Sequence, residues 1–181
     1  MNNSKELIEL LNLKEIENNV FSGESVTIGS PNVFGGQVLA QAVNAAYRTI
    51  KENRFINSLH SYFLEAGDLT IPINYHVAVM RDGGSFSTRR VTAKQNDKTI
   101  FILAASFHKV EEGFEHQTVM NTNIKQPEEL LSWEDMVTKF GAFLPKSLKG
   151  FLSIERPIDF KPVHVPNPLK RENLPAKEEI W

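Results

Sequence analysis

The stretch Val33–Ile50, VFGGQVLAQAVNAAYRTI, constrains this chain more than any other. Past its glycine pair it is rich in Ala, Leu and Gln, which are good helix formers. Val38, Ala42, Ala45 and Ala46 recur at three- and four-residue spacings, with Leu39, Val43 and Tyr47 beside them. The apolar surface therefore wraps most of the helix, and such a helix is expected to be buried on several sides. Its small residues let surrounding backbone come close. The rest of the fold has to supply that cover.

Strand signals follow almost without pause. Asn57–Leu64, Ile73–Arg81, Phe86–Gln95 and Thr99–Val110 read as four strands. Asp82–Gly84 and Asn96–Lys98 supply the turns between the last three, and such short connections argue for antiparallel pairing. Ile100–Ala105 is apolar on both faces, which predicts an interior strand. One very apolar helix followed by a long antiparallel meander is an α+β arrangement, a sheet wrapped round a helix, and that is the hotdog fold.

The flanks are less regular. Ser4 is a candidate cap for a helix over Lys5–Leu13, and Val20–Ile28 reads as a strand. Only Pro31 and Pro72 precede Met120, whereas seven of the nine prolines follow Asn121. The division expected is an N-terminal helix at 1–14, a hotdog at 15–117, a partly helical linker at 118–153 and a further extended segment at 154–181. In the linker, Ser132 should cap a helix Trp133–Phe140 with Asp135 three residues on, and Pro145–Phe151 reads as another short helix. Ile154–Val165 looks extended, broken by Pro157 and Pro162. The closing residues Glu178–Trp181 look like the opening of a strand whose partners are absent.

Composition removes several classes of function. There is no cysteine, so a disulfide framework, a thiolate nucleophile and a cysteine-ligated metal are excluded. The formal net charge of -2 lacks the electrostatic footprint of a nucleic-acid binder. No apolar run approaches the roughly 20 residues that span a bilayer, and the N-terminus lacks a signal-peptide pattern. A cytoplasmic protein is expected, with neither nucleic acid nor membrane as a partner.

The chemistry-bearing residues are few. His60 lies near Ser58, Ser61 and Asp68, but no G-x-S-x-G elbow is present, and His60 and Ser61 point to opposite faces of a strand. His60 reads first as a structural histidine beside the buried helix. The five histidines form no short ligand spacing, so no metal site is expected. Gly35 and Gly36 open the helix, where N–H groups and the helix dipole suit a carbonyl or oxyanion; close packing of a crossing strand explains them equally well. Arg81, Arg89, Arg90, Lys94 and Lys98 suit the phosphates of a polyanionic ligand such as coenzyme A, or a solvated face laced with ion pairs. Val33–Ile50 holds Gln37, Gln41 and Asn44 but no Asp, Glu or His. Amides orient a water but cannot take its proton.

Together these segments resemble a known family. FGGQVLAQAVNAAY, LHSYFLEAGD, RDGGSFSTRRVTAKQNDKTIFILAASFH and EEGFEHQ stand in one order from residue 34 to residue 117. They resemble the acyl-CoA thioesterase II family, more weakly through ERPIDFKPVHVPNP to Trp181. The resemblance implies two hotdogs in tandem and hydrolysis of fatty acyl-CoA to free acid and coenzyme A, without cofactor. The family's Asp, Thr or Ser, and Gln lie in the second hotdog, beyond the end of this chain, so no catalytic residue is carried over. It implies a non-catalytic N-terminal half, weakly active or inactive alone, with 154–181 as the start of the second hotdog. The substrate-contact candidates are Gly35, Gly36 and Gln37 at the helix start, and His60 and Tyr62 lining a groove. Expected partners are acyl-CoA and a second hotdog, or a homo-oligomer. The alternative is a non-enzymatic module that binds acyl-CoA or pairs with a separate hotdog subunit.

Overall fold

The computed structural model describes residues 3–51, 53–120, 122–165, 173 and 175–181. The chain divides into two compact units, one holding Lys5–Phe114 and the other Glu115–Trp181.

The first unit is a six-stranded, wholly antiparallel sheet folded against one helix. A short helix α1 (Ser4–Leu11) leads into a hairpin of β1 (Lys14–Glu17) and β2 (Val20–Gly23). Helix α2 (Gly35–Tyr47) follows, then β3 (Arg54–Phe63), β4 (Ile73–Asp82), β5 (Phe86–Gln95) and β6 (Lys98–Lys109). The order across the sheet is β1-β2-β4-β5-β6-β3, which leaves β3 on an edge. Asn96 and Asp97 both take positive φ, 46° and 64°. Two such residues make the tight turn whose twist suits a hairpin, and they set the β5–β6 register.

Period-two alternation decides which side chains meet α2. Ser87, Arg89, Val91, Ala93 and Gln95 of β5 are buried, as are Phe101, Leu103, Ala105 and Phe107 of β6. They pack on Ala42, Ala45 and Ala46, each wholly buried, whose methyl groups let the sheet come close.

Two expectations change and one holds. Helix α2 is not enclosed: Gln37, Val38, Gln41, Ala42, Ala45 and Ala46 are buried, while Leu39, Ala40 and Val43 are half-covered and Tyr47 is exposed. One sheet covers one face, and nothing else among the described residues of this unit closes the other. The strand expected over Val20–Ile28 stops at Gly23, and β1 before it carries a single apolar residue, Ile16. β6 is interior, as its composition predicts, lying between β5 and β3.

The second unit has a 3₁₀ turn at Pro127–Glu129, α3 (Trp133–Phe140) and α4 (Lys146–Leu152). Ser132 and Asp135 form the expected capping box: the hydroxyl accepts from the Asp135 N–H at 3.0 Å, and Asp135 accepts from the Ser132 N–H at 2.9 Å. Trp133 stacks on Phe160 with centroids 4.6 Å apart, and the Arg156 guanidinium lies 4.7 Å from the Trp133 ring centre. The final residues have a partner within the unit. Lys161 and Trp181 exchange two backbone hydrogen bonds, and Val163 donates to Glu179. Of the segment 154–181, residues 166–172 and 174 lie outside the described residues.

Candidate functional site

The start of α2 is the most ligand-like backbone in the first unit. The first N–H groups of a helix have no partner within it, and Phe34, at the cap position, offers no side-chain acceptor. The two glycines keep side chains off this turn. A Cβ on Gly35 would lie 2.9 Å from the Phe63 ring, and one on Gly36 2.5 Å from the Phe34 ring. What approaches is a pair of aromatic side chains, both more than 45% exposed (Phe63 58%, Phe34 48%), rather than crossing backbone. The result is a polar helix end flanked by movable rings.

The two buried amides of α2 are fully engaged elsewhere. Gln37 Nε2 donates to the Glu24 carbonyl at 3.1 Å, and its Oε1 accepts from the Val26 N–H at 3.3 Å. Gln41 Nε2 donates to the Leu10 and Glu24 carbonyls at 2.8 and 2.9 Å. Its Oε1 accepts from the Tyr75 hydroxyl at 2.7 Å. Gly23 makes room for this lacing, since a Cβ there would sit 2.8 Å from Gln41 Nε2. Both glutamines therefore bind the segment after β2 to the helix, and Gln41 binds α1 as well. Asn44 instead lines a shallow hollow with Leu11, Ala40, Val43, Tyr47 and Arg48. Tyr47 closes one end of it; its hydroxyl accepts from the Ile56 N–H at 2.8 Å, at the bulge in β3.

The five sequence-derived contact residues fall into two groups. Gly35, Gly36 and Gln37 share the first turn of α2. His60 and Tyr62 are exposed on β3, with ring centroids 4.8 Å apart. Their register partners Ala104 and Ile102 alternate with the buried face of β6, so both point away from α2. His60 is thus not the structural histidine beside the helix that its surroundings in sequence suggest. The β3 residue that does reach the helix start is Phe63, and alternation from Ser61 is the sequence signal that marks it.

The cationic cluster divides in the same way. Arg89 is 1% exposed, and its guanidinium donates to Asp82 at 2.9 Å and to the Thr49 hydroxyl and carbonyl, each at 2.8 Å. It fastens the end of α2 to the β4–β5 hairpin. Asp82 also accepts from Ser87 at 2.6 Å, and that bond, ahead of Arg89 itself, holds the carboxyl below its ordinary range against partial desolvation. Lys98 pairs with Glu65 at 3.1 Å. Arg81, Arg90 and Lys94 lie on the outer face. Among the described residues no cluster of His, Asp or Glu is placed to hold a metal ion.

A family model described as the acyl-CoA thioesterase N-terminal domain matches residues 23–108, which run from the end of β2 through β6. Acyl-CoA thioesterase 2 of Haemophilus influenzae is 41% identical over 175 residues, 97% of this chain and 61% of its own length. Acyl-coenzyme A thioesterase 8 of Homo sapiens is 36% identical over 180 residues, 95% of this chain and 56% of its own. The chain thus spans little more than half the length of these relatives. Among solved structures, an acyl-CoA thioesterase II from Mycobacterium marinum is 38% identical with a TM-score of 0.58, over 65% of this chain and 43% of that one. A hot dog fold protein from Alicyclobacillus acidocaldarius has a TM-score of 0.65 at 15% identity, over 86% of this chain and 54% of that one, a likeness of fold. Residues 23–108 thus carry the acyl-CoA thioesterase N-terminal domain, and the likeness of sequence to acyl-CoA thioesterases extends over nearly the whole chain.

Proposed function

We propose that this chain is the N-terminal, non-catalytic half of a fatty acyl-CoA thioesterase, and that alone it hydrolyses acyl-CoA weakly or not at all. The observation that carries the reading is the state of α2. It bears no Asp, Glu or His, and the amides of Gln37 and Gln41 are both occupied by structural hydrogen bonds. Thioester hydrolysis needs a base for the attacking water and donors for the developing oxyanion. The start of α2 offers donors at Gly35 and Gly36 without a base.

In this reading residues 15–117 form one hotdog, 118–153 a linker, and 154–181 the opening of a second hotdog that supplies the base. Gly35 and Gly36 meet the substrate from the helix start; Gln37 holds that turn in place through Glu24 and Val26, and His60 and Tyr62, on the far side of β3, stand outside the site. The second hotdog, or a second copy of the chain, seats along β3. That edge strand exposes Phe55 (58%), Leu59 (42%) and Phe63 (58%), and an exposed apolar edge needs cover. The site of action is the cytoplasm; among the described residues no helix is long and apolar enough to cross a membrane.

The test is a thiol-release assay on decanoyl- and palmitoyl-CoA with the purified 181-residue chain. Little turnover, restored by adding the C-terminal half of a relative, is the expected result, and robust turnover by the chain alone overturns the half-enzyme reading. Binding of acyl-CoA without turnover in either mixture favours a non-enzymatic module instead.

A further inference from the structure

The register of the sheet gathers charge on its outer face in a way that composition hides. Arg90 lies between Ala78 of β4 and Ala104 of β6, and Ala104 is followed by His60 of β3. One row away, Arg81 is followed by Thr88, Ser106 and Ser58. Toward the other end of the sheet, Lys94 stands opposite Asn74, and His76 opposite Thr92. Arg81, Arg90 and Lys94 thus rise from a lattice of alanines, serines and threonines. None of their register partners is acidic. Among the described residues the basic groups that do find a carboxylate are others: Arg89, Lys98, Lys109, Lys5 and Lys177, with His108 at the hairpin end of this face held by Glu111. A chain of net charge -2 presents one distinctly cationic sheet face.

The spacing says what such a face fits. Strands lie about 4.8 Å apart and residues rise about 3.3 Å, so Arg90 is roughly 10 Å from His60 and roughly 13 Å from Lys94. Charges so spread do not converge on one phosphate group. They match negative charge distributed over a surface. Phe55, Tyr62 and Phe86 share this face and are 58%, 57% and 48% exposed, but they stand at its β3 edge and hairpin end. Single-stranded nucleic acid is held by rings interleaved with the phosphate contacts; here alanine and threonine fill the places between the cations. Basic residues bordered by exposed apolar rings and one amphipathic ring, here Tyr62, are what the headgroup layer of a bilayer accepts.

We propose that the outer face of β4, β5 and β6 is a docking surface for anionic lipid, engaged through Arg81, Arg90 and Lys94. The association is peripheral and needs no spanning helix. It is also independent of catalysis, so it stands or falls apart from the thioesterase reading.

Flotation with phosphatidylcholine vesicles, with and without about one third phosphatidylglycerol, tests it at roughly 0.1 M salt. The chain should float with the anionic vesicles only. The triple variant Arg81→Glu, Arg90→Glu, Lys94→Glu should lower that partition on the order of a hundredfold, since each basic residue near the surface accounts for about a fivefold gain. Lys5→Glu, Lys139→Glu, Lys146→Glu changes net charge equally elsewhere and should lower it far less. The single variant Arg90→Glu, with an unchanged melting temperature, guards against a triple that misfolds. Equal binding to both vesicle types, no binding to either, or equal loss in both triples overturns the proposal. So does binding of an oligonucleotide or of polyglutamate through these residues in the absence of vesicle binding.

Discussion

The Tyr75 hydroxyl donates to the Gln41 amide oxygen across 2.7 Å, with both side chains wholly buried between β4 and α2. Burial also pushes the phenol well above its ordinary pKa. Tyr75→Phe leaves the amide oxygen without its donor and should cost about 1–3 kcal/mol, read from urea denaturation. A variant as stable as the parent would mean that water or a shifted neighbour replaces the hydroxyl. The sign with pH follows from the raised value. The contribution is complete below the pKa of an unfolded tyrosine and is lost as pH climbs above it, so alkaline unfolding of the parent should be steeper than that of Tyr75→Phe.

Arg89 and Asp82 form a second interior link, 2.9 Å long, with only the arginine fully buried. Arg89 keeps its bonds to Thr49 when the carboxylate goes. Asp82→Ala should therefore destabilise by about 1.5–3 kcal/mol, the range for a hydrogen bond to a charged group, rather than unfold the unit. Asp82 is held below the usual carboxylate range, so its contribution is present above the unfolded pKa and fades as pH falls through the folded one. Acid denaturation followed by circular dichroism should begin at higher pH in Ser87→Ala, which removes the largest cause of that depression.

Gly35 and Gly36 separate packing from function. The atoms that a new Cβ would meet belong to the rings of Phe63 and Phe34, which have room to turn outward. Gly36→Ala should shift stability by less than about 1 kcal/mol, because a gain in helix propensity offsets ring displacement. In a full-length relative, Gly36→Val at the matching position should lower hydrolysis well beyond its effect on melting temperature. Parallel losses would assign the position to packing.

Glu111 sits just beyond β6 and gathers Lys109 at 2.9 Å, Ser85 at 2.9 Å and His108 at 2.8 Å. The bond with Lys109, then that from Ser85, brings its carboxyl down to about 2. An NMR titration of the side-chain carboxyl should find it there, and Ser85→Ala should raise it. A midpoint in the normal glutamate range in the parent would show that the cluster is not held in solution.

The elements that sequence foretold well are those with local causes. Ser132 and Asp135 announce α3, and Asn96–Lys98 announces the turn of a hairpin. What was not legible depended on partners distant in sequence. The apolar circumference of α2 implied full enclosure, yet one sheet has only one side to offer. His60 beside Ser61 looked like a core residue until β6 showed which face was inward. β1 forms because β2 is there to pair with it, not because Lys14–Glu17 favours a strand. The cationic face exists only through register, since Arg81, Arg90 and Lys94 are scattered in the chain.

The half-covered side of α2 has a thermodynamic consequence. Leu39, Ala40 and Val43 can gain further burial only from something outside this unit. A separate molecule that seats on them binds the folded chain and not the unfolded one, so folding and association then share a single equilibrium. The melting temperature then ceases to be a constant of the sequence and becomes a function of concentration. It rises with the amount of partner present, and dilution alone lowers it.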